Sequence, residues 1–266
     1  MAVTCRHTKP LLIYMMRKNL ILSALLLLPL LLESAPLDRI QNREYFFKEA
    51  GKRMNYTLFV PSSYSKKKAA PLFVMLHGLF GFPQQIIRSQ GLVDEAEKHG
   101  FLVVCPMGYD RTGWYGSRGH GQMFPNSAKN QGKLSEMDVM NVLSIVRREF
   151  NIDPKRIYLG GHSMGGTGTL YLASKHSNLW AGLVPIAPWL VSGKRDLEKT
   201  KHLPVVFVQG DADNVCWPIF ARGCVKRMKQ LGNPIKYIEE KGGGHVGIVN
   251  RHWPEIFKFF QAHARK

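Results

Sequence analysis

Short apolar runs, each closed by glycine, proline or a polar cluster, recur along this chain and alternate with segments of helical period. Residues 53–60 alternate as a strand does and stop at Pro61. Residues 72–76, 101–105, 157–159, 180–187 and 204–209 are apolar almost throughout, the pattern of strands buried on both faces of a parallel sheet. Residues 235–238 make a short last strand. Between them lie helical segments. Residues 83–99 carry Val93, Ala96 and Glu97 in phase and end at Gly100, and residues 134–150 place Val139, Val142, Leu143, Val146 and Phe150 on one face behind Ser135 as N-cap. Residues 218–231 and 253 to the end read as two more. Strand and helix in alternation predict an α/β fold, a mostly parallel central sheet with helices on both faces.

One stretch breaks this rhythm. Residues 107–133 are rich in glycine, carry Tyr109, Trp114, Tyr115 and Phe124, and show no period. Long aperiodic segments within a domain are usually functional or disordered. Aromatic residues among glycines make Trp114 and Tyr115 candidate substrate contacts, with a packed surface loop as the alternative. Trp189, in the loop of residues 188–203, has the same two readings: substrate contact or buried packing.

The first 35 residues stand apart from the pattern. Arg17 and Lys18 precede an unbroken apolar run from Leu20 to Leu32, followed by Glu33-Ser-Ala-Pro36. A basic region, an apolar core and a small-residue exit predict a secretory signal, and Met15 and Met16 are alternative starts. An uncleaved membrane anchor over residues 11–32 is the other reading. Residues 36–266 are then one catalytic-sized domain, and the chain has no internal repeat. The whole chain carries a formal charge of +18; residues 1–35 hold four basic side chains and one acidic, which leaves +15 on the remainder. Such a field draws a protein towards anionic surfaces, while a set of solvated lysines is the blander reading. No basic motif interleaved with aromatics points to nucleic acid. Beyond Cys5, three cysteines remain, of which Cys216 and Cys224 form a bridge only if Cys216 lies in the loop before Pro218.

Chemistry concentrates where strands end. Gly161-His-Ser163-Met-Gly165 fits the G-x-S-x-G turn, in which a serine is held on a tight strand-to-helix joint whose neighbours need to be glycine for the two elements to approach. Asp213 follows the strand of residues 204–209, and His245 follows the last strand. In a parallel sheet those ends share one edge, where ligands bind. A serine hydroxyl needs an imidazole to take its proton, and the imidazole needs a carboxylate to hold its tautomer, so Ser163, His245 and Asp213 are the candidate nucleophile, base and acid. Asp211 competes for the acid and His252 for the base, whereas His162 and His77 read as structural. The developing oxyanion needs fixed donors: the backbone N–H of Met164 is one, and that of Leu79, in the His77-Gly-Leu-Phe-Gly81 turn, is the second. No metal-binding spacing of H-E-x-x-H or C-x-x-C type occurs, and neither metal nor cofactor is expected.

His77-Gly-x-x-Gly81, Asp153-Pro-x-Arg156-Ile-Tyr, Gly161-His-Ser-Met-Gly-Gly166 and Gly210-x-x-Asp213-x-Val together resemble the secreted polyhydroxybutyrate depolymerase and feruloyl esterase type of α/β hydrolase. The resemblance covers about residues 45 to 262 and implies an α/β-hydrolase fold without a large lid domain. It also implies Ser163, Asp213 and His245 as the triad and Leu79 and Met164 as the oxyanion hole. Gln209 departs from the pattern, standing where the family often has histidine. The expectation is a secreted serine carboxylic-ester hydrolase acting through an acyl-enzyme on a small-molecule or polymeric ester. A serine peptidase of the prolyl-oligopeptidase type, or a catalytically silent binding protein of the same fold, are the alternatives.

Overall fold

In the computed structural model, the residues described are 1, 35–190 and 197–264. Residues 2–34, which carry the expected signal or anchor, and residues 191–196 of the expected loop at 188–203 lie outside them. Pro36 to Lys266 form one compact unit.

Eight strands make one sheet in the order β1-β2-β4-β3-β5-β6-β7-β8. Its first two members, β1 (Ile40–Phe47) and β2 (Lys52–Phe59), pair antiparallel, and β2 pairs antiparallel with β4 (Leu102–Pro106). From β4 onward, through β3 (Ala70–Leu76), β5 (Ile152–His162), β6 (Gly182–Ile186), β7 (Val205–Gly210) and β8 (Ile235–Glu240), every pairing is parallel. The all-apolar runs of the sequence are the central strands of this sheet, and their residues alternate between two cores. Leu72, Val74, Leu76, Val205 and Phe207 face one, packed against Val139 and Val142 of α3 (Gln131–Glu149), Leu170 and Leu172 of α4 (Met164–Lys175), and Val225 of α5 (Pro218–Gln230). Phe73, Met75, Val206 and Val208 face the other, against α1 (Pro83–Ile86), α2 (Leu92–His99) and the Trp253, Ile256, Phe257 and Phe260 side of α6 (Trp253–Ala262). Burial on both faces is why these strands lack polar alternation. This is the expected α/β-hydrolase architecture, and no large lid is present among the described residues.

The sequence pattern offers no signal for β1, and several local expectations are corrected. Strand β1 carries no apolar run, because its exposed Gln41, Asn42 and Glu44 lie on an edge strand whose single fully buried residue is Phe47. The segment of residues 83–99 is two helices, α1 and α2, divided at a left-handed Gly91 (φ 86°). Helix α3 starts at Gln131, ahead of the expected 134, so Ser135 is not its N-cap; the Ser135 hydroxyl instead accepts the Tyr115 amide at 2.9 Å. Cys216 does precede α5, yet it and Cys105 are free thiols, so Cys216 makes no bridge to Cys224.

Residues 107–117 form a packed loop, whereas most of residues 118–130 are exposed. Tyr115 is fully buried among the core residues, and its hydroxyl donates to the His77 carbonyl at 3.1 Å. This removes Tyr115 from the candidate substrate contacts: it supports the turn beside the site from underneath.

Candidate active site

Ser163 sits at the joint between β5 and α4 with φ 57° and ψ −115°, a conformation that side-chain sterics disfavour. The joint is possible because its flanks lack side chains. A Cβ on Gly165 would lie 2.3 Å from the Leu76 carbonyl oxygen, and one on Gly161 would lie 2.4 Å from the Gly165 backbone. The Ser163 amide donates to the Ile186 carbonyl of β6 at 2.9 Å, which ties the turn to the neighbouring strand.

Three strand ends meet here. His245 Nε2 lies 2.9 Å from Ser163 Oγ, and His245 Nδ1 lies 2.8 Å from Asp213 Oδ2. The Asp213 side chain is completely buried, and four donors reach it. Oδ1 accepts the amides of Val215 at 2.9 Å and Cys216 at 2.8 Å; Oδ2 accepts Gln209 Nε2 at 3.1 Å as well as the imidazole. Gln209 also donates to the Cys216 carbonyl at 2.9 Å, so it spans the turn that aims the carboxylate. In the sequence it stood out only as a departure from the family pattern. A polar residue within an otherwise apolar buried strand is the signal that marks it.

The rival residues lie elsewhere. Asp211 accepts the Gly242 amide at 2.6 Å and thereby fastens the turn leading to His245. His252 pairs with Glu240 at 2.8 Å on the far side of that loop. His162 donates from Nε2 to the His245 carbonyl at 2.7 Å, and its ring lies 4.9 Å from the His245 ring. Burial draws its pKa down to about 4, which keeps it a neutral prop rather than a second base.

The turn carrying Leu79 is held from several sides. Gly81 N donates to the Gly78 carbonyl at 2.9 Å, Phe80 N to the Arg111 carbonyl at 2.9 Å, and Arg111 Nε back to the Phe80 carbonyl at 2.7 Å. The buried His77 ring lies with Nε2 2.8 Å from the Met107 carbonyl and Nδ1 2.8 Å from that of Gly78. Burial lowers its pKa, so the ring is neutral and its one N–H serves one carbonyl at a time. Leu79 and Ser163 border one cleft of about 680 Å³, whose walls also include Trp114, Trp189 and Val246. Trp114 is largely buried but reaches this wall, and Trp189 is half-buried beside it.

Cys216 was not foreseen at the site. Its thiol lies by Ser163, and burial together with the Asp213 carboxylate pushes its pKa up to about 12. Asp213, Cys216 and His245 bring ligand-type atoms within 4.8 Å of one another. Within this set the carboxylate and imidazole already bond each other at 2.8 Å.

The family model of the Esterase family matches residues 48–221. Among similar curated proteins, the bifunctional acetylxylan esterase/xylanase XynS20E of Neocallimastix patriciarum is 28% identical over 168 residues, covering 63% of this chain and 22% of the relative. The S-formylglutathione hydrolase of Rattus norvegicus is 26% identical over 149 residues, 51% of this chain and 52% of the relative. The chain therefore spans about a fifth and about half of the lengths of these relatives. Among solved structures, the ferulic acid esterase of Anaeromyces mucronatus, in complex with ferulic acid, superposes with a TM-score of 0.65 at 17% identity, over 84% of this chain and 91% of that one.

Proposed function

The chain belongs to the Esterase family, and we propose that it is a serine carboxylesterase working through an acyl-enzyme. The observation that carries this reading is a single imidazole placed between a strained serine hydroxyl and a buried carboxylate, at 2.9 and 2.8 Å. Ser163 Oγ adds to the ester carbonyl while His245 Nε2 takes its proton. Asp213 holds the Nδ1–H tautomer and stabilises the imidazolium. The tetrahedral oxyanion is met by the backbone N–H groups of Met164, at the start of α4, and Leu79. The carbon–oxygen bond to the alcohol then breaks, and His245 returns its proton to the leaving alkoxide. Water, deprotonated by the same imidazole, releases the acid and restores Ser163. No step calls for a metal or cofactor. The ester chemistry named for the relatives supports the same reaction class, and the basic-then-apolar segment before Pro36 supports secretion, which predicts a protein in the medium that lacks residues 1–35; an intact N-terminus in the membrane fraction would instead mean anchoring by residues 11–32.

The test is hydrolysis of p-nitrophenyl acetate together with labelling by a fluorophosphonate probe. Replacing the nucleophile in a triad of this kind costs on the order of a million-fold in kcat, so Ser163→Ala is expected to lose turnover and labelling together. A Ser163→Ala protein that still hydrolyses the ester at the parent rate overturns the reading.

A further inference from the structure

Among the described residues, the cleft around Ser163 is lined by two arginines, Arg88 and Arg118, and by no aspartate or glutamate. Elsewhere among the described residues Arg43, Arg53, Arg156, Arg222, Arg227 and Arg251 each sit on a carboxylate, while Arg39, Arg111 and Arg148 donate to carbonyl or hydroxyl oxygens. Arg88 and Arg118 have no such partner among the described residues. They reach the cleft from separate segments, Arg88 from the turn after α1 and Arg118 from just beyond the turn Trp114–Gly116. The Arg118 guanidinium carbon stands 3.8 Å from the centre of the Trp114 ring, a stacking contact that keeps the charge on the cleft wall. Leu79, Phe80, Ile86, Val215, Val246 and Val249 supply the apolar remainder. Cations without counterions in a concave, largely apolar wall focus a positive field on whatever enters.

We propose that the ester selected by this cleft carries a carboxylate on an otherwise apolar acyl or alcohol part, and that Arg88 and Arg118 are the residues that read it. This rests on the serine esterase reading of Ser163. A guanidinium offers paired N–H donors matched to a carboxylate, which a neutral ester of the same size leaves without a partner. The two arginines act in substrate selection and take no part in bond breaking.

The experiment compares matched esters in the full chain: p-nitrophenyl hydrogen glutarate against p-nitrophenyl hexanoate for the acyl side, and 4-acetoxybenzoate against 4-acetoxybenzamide for the alcohol side. The readout is the ratio of kcat/KM, anionic over neutral, in the parent and in the Arg88→Gln/Arg118→Gln protein, so that differences in intrinsic reactivity cancel. With exposed ion pairs of ordinary strength, the ratio in at least one pair is expected to fall about tenfold in the variant, and ratios that all stay within about twofold of the parent overturn the proposal. Raising ionic strength should lower the parent's ratio in the same pair and leave the variant's unchanged. If the neutral esters are cleaved and neither ratio moves, the arginine assignment fails while the esterase reading stands. If the parent cleaves none of the four esters, both fail.

Discussion

Two aspartates stand two residues apart after β7, and one of them faces the imidazole. Asp213 is sealed from solvent, with two amides on Oδ1 and both Gln209 and His245 on Oδ2. Asp211 points to the exposed Gly242 amide. The orientation matters because a carboxylate on Nδ1 leaves the Nε2 lone pair facing Ser163. An amide in its place can donate to Nδ1, which puts the imidazole proton on Nε2 and removes the base. Asp213→Asn is therefore expected to lower kcat about 10⁴-fold with the fold intact. Asp211→Asn keeps an oxygen for Gly242 and should leave kcat within about twofold, as exposed substitutions of this type usually do. Steady-state hydrolysis of p-nitrophenyl acetate by the two proteins decides the assignment, and comparable losses in both would refute it.

The joint between β5 and α4 makes a demand that only backbone packing can express. Gly165 lies in the first turn of α4 against the end of β3, where a methyl would collide with the Leu76 and His77 carbonyls at 2.3 and 2.8 Å. Gly223, inside α5, would meet nothing within 4 Å. Gly165→Ala should destabilise the protein by about 3 kcal/mol through overpacking, whereas Gly223→Ala should stabilise it by about 0.5–1 kcal/mol through helix propensity and a less flexible unfolded chain. Urea unfolding of the two variants measures both, and equal shifts of one sign would contradict the packing argument. This contrast also shows what was legible beforehand. The doubly buried strands announce themselves because both faces demand apolar side chains, and the elbow because its glycines are spaced by a steric need. Strand β1 does not, since an edge strand with one wet face is free to carry Gln41, Asn42 and Glu44. Nor does the packing of residues 107–117, where left-handed Tyr109, Trp114 and Tyr115 are held by tertiary contacts that local sequence does not encode. The burial of Tyr115 depends on Ser135 and His77, twenty or more positions away in the chain.

Across the molecule, a line of buried polar contacts joins the edge of the sheet to the turn beside Ser163. Tyr45 of β1 donates to Asp138 of α3 at 2.5 Å; the other Asp138 oxygen accepts the Gly108 and Tyr109 amides at 2.6 and 3.2 Å; and the adjoining Met107 carbonyl meets the His77 ring. Burial pushes the Asp138 pKa up to about 6, outweighing the donors that favour its ionised form. Between about pH 4 and pH 6 the folded chain thus holds a proton that the unfolded chain has released. Stability from this group is full below about pH 4 and is lost as pH rises through about 6, by on the order of 3 kcal/mol. Glu136, in the same helix, has the opposite sign. Burial would raise its pKa, yet hydrogen bonds from His176, Lys175 and Tyr171 hold it down at about 2, so its contribution is present above the ordinary carboxylate range and lost in acid. Asp138→Asn keeps the shape of the network, with its carbonyl oxygen free to accept the Gly108 and Tyr109 amides, and removes the titration. The stability of the parent relative to this variant, from urea unfolding, is expected to fall by on the order of 3 kcal/mol between about pH 4 and pH 7. A difference that stays flat across that interval would mean that Asp138 is already ionised at the low end, and that the line from β1 to His77 carries a charge rather than a proton.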